Sequence, residues 1–255
     1  MEAGLNLYSL RQLVHTEQDF SSLAEELKAM GYSYLQVSGL PLKAEEIARV
    51  SKESGLPVYL THSPLDRILN ETDTVMEENA VFGCRNIGLG YFPPEVIADE
   101  NKCKDTVSKL NEVALRLKKN GFTFFLHHHH NEFLKHGNQT VFDYILKNAP
   151  EVHIIVDTYW LQYGGVNTVG IFEKLKGRAE CIHLKDYQLR LQKNSAWCEP
   201  HFAPVGTGTL DFTAIVNAAK KAGAKYFFVE QDDAGEYPDP LTQVGKSIRF
   251  VKSEL

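Results

Sequence analysis

The chain runs to 255 residues, 43% of them hydrophobic, with a formal net charge of −6. That length can bury a full core, as one α/β barrel or as two small domains, and the acidic balance argues against an extended nucleic-acid partner. No apolar run approaches the roughly 20 residues of a bilayer span. Met1 leads into Gly4-Leu5-Asn6-Leu7-Tyr8 without a basic, then apolar leader, and Cys84, Cys103, Cys181 and Cys198 have no CxxC spacing. A cytoplasmic protein with free thiols and no membrane association is expected.

Taken in chain order, strand-like apolar runs fall near residues 3–8, 33–37, 57–61, 86–89, 122–126, 153–156, 180–184 and 226–230. Helical patterns lie between them. Phe20, Leu23, Leu27 and Met30 share a face, and Gly31 stands where a left-handed C-terminal stop belongs. Val107, Leu110, Val113, Ala114 and Leu117 make a second stripe, closed by Gly121. Phe212, Ile215, Val216 and Ala219 make a third before Gly223, with Asp211 or Thr209 placed to cap its start.

Eight strand–helix alternations imply parallel pairing with right-handed crossovers, and about 250 residues match a (β/α)8 TIM barrel. A doubly wound sheet is the other arrangement this pattern permits. No Pro/Gly/Ser-rich linker interrupts the chain, so residues 1–255 are expected to form a single domain.

Barrel geometry brings the C-terminal tips of strands to one face. Four of the runs end in groups able to bind a metal: Ile154-Ile155-Val156 in Asp157, Cys181-Ile182 in His183, Tyr226-Phe227-Phe228-Val229 in Glu230, and Phe122–Leu126 in His127-His128-His129-His130-Asn131-Glu132. Alternation puts Asp157 with Ile155, His183 with Cys181 and Glu230 with Phe228. It sends His127 and His129 to one side and His128 and His130 to the other. Glu132 must reach back from the loop.

Carboxylates gathered in a barrel mouth repel, by roughly 4 kcal/mol per pair at about 4 Å and an effective dielectric near 20. A divalent cation turns that repulsion into binding energy. Glu132, Asp157, His183 and Glu230 would offer three oxygens and one nitrogen, a mostly hard set that suits one Mn²⁺, with Mg²⁺, Co²⁺ or Zn²⁺ as substitutes.

The segment His127-x-His129-x-x-Glu132-Phe133 resembles the H-N-H-x-x-E-F pattern of the sugar phosphate isomerase/epimerase superfamily, the xylose-isomerase-like barrels that include inosose dehydratase. Asp157-Thr158-Tyr159-Trp160 is similar to that family's D-T-x-W, His183-Leu184-Lys185-Asp186 to its H-x-K-D, and Val205-Gly206-x-Gly208-x-Leu210-Asp211-Phe212 to its V-G-x-G-x-x-D-F loop. Glu230-Gln231-Asp232 matches its terminal E-x-D, and Leu5–Arg11 its opening L-x-Y-S-x-R. His128 and His130 depart from the pattern, standing where the family has Asn and an acidic residue.

The resemblance implies that Glu132, Asp157, His183 and Glu230 hold the metal, and that the substrate carries a carbonyl with adjacent hydroxyls. A base would remove the C–H proton beside the carbonyl, with the cation holding the enediolate charge. Isomerisation or epimerisation of a keto-sugar or cyclic polyol is the leading expectation and inosose-type dehydration the alternative. A phosphodiesterase of the abasic-site endonuclease kind and a non-catalytic sugar-binding subunit stand further back. His127, His129, Glu132 or Glu230 would serve as base, and Lys185 would stabilise developing negative charge. His62, Tyr159, Trp160 and Lys185 are expected to contact substrate. No Arg/Lys cluster suggests a phosphorylated substrate, and a homo-oligomer is possible.

Overall fold

The computed structural model describes all residues 1–255. Eight parallel strands close into a barrel: β1 (Gly4–Asn6), β2 (Tyr34–Val37), β3 (Val58–Ser63), β4 (Asn86–Leu89), β5 (Thr123–His127), β6 (His153–Asp157), β7 (Cys181–Leu184) and β8 (Tyr226–Val229). Each pairs with its sequence neighbour, and β1 pairs with β8 to seal the ring. The doubly wound alternative is thereby excluded. The one register slip lies between β2 and β3, where Leu35 pairs with Val58 but Gln36 with Leu60.

The helices start and stop for local reasons. Glu17–Met30 begins at a Thr16/Asp19 capping box and ends at Gly31, whose φ of 100° a side chain would resist. Glu100–Lys119 is capped by Asp99, and Phe212–Ala222 by Asp211, which accepts from the Ala214 amide. No helix is long and apolar enough to cross a membrane.

Two apolar layers follow from strand alternation. Outward residues such as Leu35, Ile87, Leu126, Val156 and Ile182 meet the helices in one large core. Inward residues Tyr34, Leu60, Phe125, Ile155, Cys181 and Phe228 fill the barrel itself. Above that plug, the next inward positions are Gln36, His62, His127, Asp157, His183 and Glu230, so polar side chains are forced into the mouth by the same alternation. After β7 the chain adds an antiparallel hairpin, Asp186–Leu191 with Cys198–Ala203, which the apolar pattern did not signal.

Candidate metal centre

One ligand atom from each of His127, Asp157, His183 and Glu230 lies within 4.8 Å of the others, and all four residues are buried. His183 Nδ1 is 2.7 Å from Glu230 Oε2 and 3.9 Å from Asp157 Oδ2. His127 Nε2 is 3.2 Å from His183 Nδ1 and 3.4 Å from Asp157 Oδ2.

The protons on these groups can be placed. His127 Nδ1 donates to the Gly90 carbonyl at 3.0 Å, which leaves a lone pair on Nε2. His183 Nε2 donates to Gln36 Oε1 at 2.7 Å, which leaves one on Nδ1. Asn6 Nδ2 donates to Glu230 Oε1 at 2.9 Å, while Glu230 Oε2 has no hydrogen-bond partner. Asp157 Oδ1 accepts from the Trp160 amide at 2.9 Å and so caps the following helix, leaving Oδ2 for the centre. Two imidazole nitrogens and two carboxylate oxygens therefore face one point. Burial, followed by the neighbouring charges, holds both imidazoles far below their ordinary protonation range. Burial also pushes Asp157 up to about 7, with Glu230 adding to the rise and Lys185 opposing it. In the absence of a cation the cluster is electrostatically unsatisfied. The donor chemistry fits a divalent metal.

Lys185 is 1% exposed and its Nζ lies 3.8 Å from Asp157 Oδ2 and 3.9 Å from Glu230 Oε2. Its partner is Asp232 at 2.7 Å, not the adjacent Asp186. Burial opposes its charge, but Asp232, Glu230 and Asp157 together outweigh burial and raise its pKa. Trp160 and Phe202 rings flank the ammonium at 5.2 and 4.9 Å. Thr158 fixes this segment, accepting from the Lys185 amide and donating to the Lys185 carbonyl.

Glu132 is not brought to the metal cluster. β5 continues to His127, so the histidine itself is the inward strand tip, two residues beyond the plug residue Phe125. Glu132 sits in the short turn Asn131–Phe133 with Oε2 folded back onto the His129 amide at 2.8 Å. Burial raises it to about 7, and Oε1 has no partner. His62, expected against substrate, has both ring nitrogens engaged, with Gln36 at 3.0 Å and Ser38 at 3.1 Å. Tyr159 is buried under Tyr187 and Phe202 of the hairpin. Trp160 is half-buried and stacked on His130 at 5.1 Å. His129 lies 4.6 Å from His127 between ring centroids, with its Nδ1 unpaired. His128 turns outward, taking the Asp157 amide on Nε2.

In the Gly206-Thr207-Gly208 turn the Gly206 and Gly208 amides donate to Asp186, as does the Leu210 amide, and the Thr207 amide donates to the Pro204 carbonyl. A side chain at Gly208 would stand 2.1 Å from the Tyr187 carbonyl. The loop is a clamp, with no amide free for an anion. Sequence reasoning missed Asn6, Gln36 and Asp232; a polar residue two positions past an inward aromatic, as Gln36 is past Tyr34, was the available signal.

Among solved structures, a sugar phosphate isomerase/epimerase from Parabacteroides distasonis superposes with a TM-score of 0.83 at 20% identity, over 99% of this chain and 94% of that one. A xylose isomerase-like TIM barrel protein from Mycobacterium smegmatis, in complex with magnesium, gives 0.74 at 12% identity over 98% and 94%. At such identities these likenesses speak to the fold alone. In sequence, inosose dehydratase from Clostridium beijerinckii is 24% identical over 79% of this chain, and its Clostridium perfringens counterpart 21% over 64%. The matches span 66% and 58% of those curated relatives. A family profile described as Xylose isomerase-like TIM barrel matches from residue 24 to residue 254, and the chain belongs to that family.

Proposed function

We infer that the protein is a divalent-metal-dependent isomerase or epimerase of a keto-sugar or related cyclic polyol. One observation carries this reading: four buried donor atoms, from His127, Asp157, His183 and Glu230, converge within 4.8 Å. Two nitrogens and two oxygens replace the three oxygens and one nitrogen expected from sequence. That set still suits Mn²⁺, and it moves Co²⁺ and Zn²⁺ ahead of Mg²⁺. A bound ion would supply Lewis-acid polarisation of a carbonyl and its neighbouring hydroxyl.

The chain's own groups divide the remaining work. His127 has both nitrogens committed, which leaves His129, whose Nδ1 has no partner, as the histidine available for proton transfer, with burial opposing its protonation. The Lys185 ammonium, held beside Asp157 and Glu230 by Asp232, would stabilise negative charge as the proton beside the carbonyl leaves. Trp160 and the stacked His130 form a flat wall suited to the C–H face of a sugar ring. The inosose dehydratases among the sequence relatives favour a second reading, β-elimination of water after the same proton removal.

Protein supplied with Mn²⁺ and incubated with ketoses and keto-inositols in heavy water should wash deuterium into the position beside the carbonyl. A conjugated enone or dione product would select dehydration. No exchange with any substrate, from protein shown to hold one ion, would overturn the reading.

A further inference from the structure

Behind His183 runs a continuous hydrogen-bonded arm. His183 Nε2 donates to Gln36 Oε1 at 2.7 Å, Gln36 Nε2 lies 3.0 Å from His62 Nε2, and His62 Nδ1 lies 3.1 Å from Ser38 Oγ. The amide has one donor and one acceptor end, so the directions are fixed along the chain. Gln36 donates to His62 Nε2, His62 therefore carries its proton on Nδ1, and that N–H donates to Ser38. Gln36 is fully buried and Ser38 is 6% exposed.

The backbone is built around this arm. The register between β2 and β3 slips beside Gln36, and the extra residue, Tyr59, lies on β3, the strand that carries His62. A side chain at Gly90 would meet the His62 ring at 2.7 Å, and one at Gly88 would meet it at 2.9 Å. Both positions must stay bare for the imidazole to fit. The His62 ring also stacks on His127 at 5.3 Å, so the arm braces both imidazoles of the cluster.

We propose that Gln36 is a positioning residue that fixes His183 as the Nε2–H tautomer, so that Nδ1 is the nitrogen offered to a cation, and that His62 and Ser38 hold Gln36 in that orientation. The role rests on the metal reading above for its purpose, but not for its geometry. Groups behind a metal-ligating imidazole that set its tautomer typically change metal affinity ten- to hundredfold when removed. His62 then serves the site from behind, with neither ring nitrogen left for a substrate hydroxyl.

Long-range ¹H–¹⁵N spectra of metal-free protein test the tautomer directly. His183 should carry its proton on Nε2 and His62 on Nδ1. In Gln36→Leu the Nδ1–H form of His183 should grow, and Co²⁺ titrated by its visible spectrum should bind about 10- to 100-fold more weakly. Gln36→Glu keeps an acceptor for His183 but removes the donor to His62. It should hold Co²⁺ within about threefold of the parent while His62 inverts to the Nε2–H tautomer. An Nδ1–H His183 in the parent, or a Gln36→Leu protein with unchanged tautomer and Co²⁺ affinity, would overturn the proposal; if Gln36→Leu does not fold, failure of His62 to invert in Gln36→Glu does so. A parent that binds no Co²⁺ sinks the metal reading instead, and the spectra separate the two failures.

Discussion

The two ends of this barrel are built from the same strands and obey opposite rules. At the N-terminal end, Tyr34, Tyr59 and Tyr226 pack ring against ring at 5.0 to 6.0 Å. The Tyr34 hydroxyl accepts from the Phe227 amide and donates to the Phe227 carbonyl, and His153 pairs with Glu180 at 2.6 Å. At the C-terminal end, Glu230 Oε2, Glu132 Oε1 and His129 Nδ1 are buried without partners. Buried polar atoms left unpaired cost of the order of 1–3 kcal/mol each. A chain that satisfies such groups at one end and accumulates unsatisfied ones at the other is trading stability for a binding site.

The sharpest way to break the comparison is to pair one of the orphaned atoms. Glu230→Gln keeps an acceptor for Asn6 and turns an amide hydrogen toward the His183 lone pair. Isothermal titration should show metal affinity reduced by at least about 100-fold, and turnover should be lost. Metal-free stability should rise at the same time, because a carboxylate pair separated by less than 4.8 Å has been dismantled. Excess Mn²⁺ should stabilise the parent by about 2.7 kcal/mol at a hundredfold over its dissociation constant and leave the variant unchanged. A variant less stable than the metal-free parent would show that the cluster is not under electrostatic stress.

Most of the fold was legible because both of its periodicities are written in apolar residues. The eight runs became the eight strands, and inward parity from Phe228, Cys181 and Ile155 led correctly to Glu230, His183 and Asp157 as convergent tips. Asp157 serves twice at once: one oxygen caps a helix while the other faces the cluster. Glu132 went astray because strand length decides the tip. One extra residue of β5 made His127 the inward group, and a three-residue turn folded the carboxylate onto a backbone amide. The supporting amides Asn6 and Gln36 were invisible for a different reason. Neither is a catalytic or ligating type, and their work appears only when strands distant in sequence are placed side by side. The hairpin after β7 carries no alternation strong enough to separate it from a loop.

Glu132 offers a test of intermediate size. Its folded-state value, raised from 4.5 to about 7, means the neutral acid is favoured in the folded protein. The unfolded chain then binds fewer protons between those values, so this group's contribution is complete below about pH 4.5 and is lost as pH rises through 7. The difference amounts to roughly 3 kcal/mol. Glu132→Gln removes the titration while keeping an acceptor for the His129 amide. In urea melts of metal-free protein, its stability relative to the parent should climb by about that amount between pH 4 and pH 8. A constant difference would place the ionised form of Glu132 in a site that already accommodates it.

The smallest effect belongs to the closed end. Tyr34→Phe keeps the ring that touches Tyr59, Tyr226 and Phe228 and deletes only the hydroxyl shared with the Phe227 amide and carbonyl. Unfolding free energy should fall by about 1–2 kcal/mol. Tyr34 and Gln36 are two residues apart on one strand, so any tilt of that strand would carry into the arm behind His183. The Tyr34 ring packs edge-on against Phe228 in the plug, and that packing should absorb it, because close-packed cores resist smooth deformation. Co²⁺ affinity in Tyr34→Phe should therefore stay within about twofold of the parent, which is under 0.5 kcal/mol. If affinity instead fell as stability fell, the two ends would be coupled through β2, and the division between a stabilising floor and a reactive mouth would not hold.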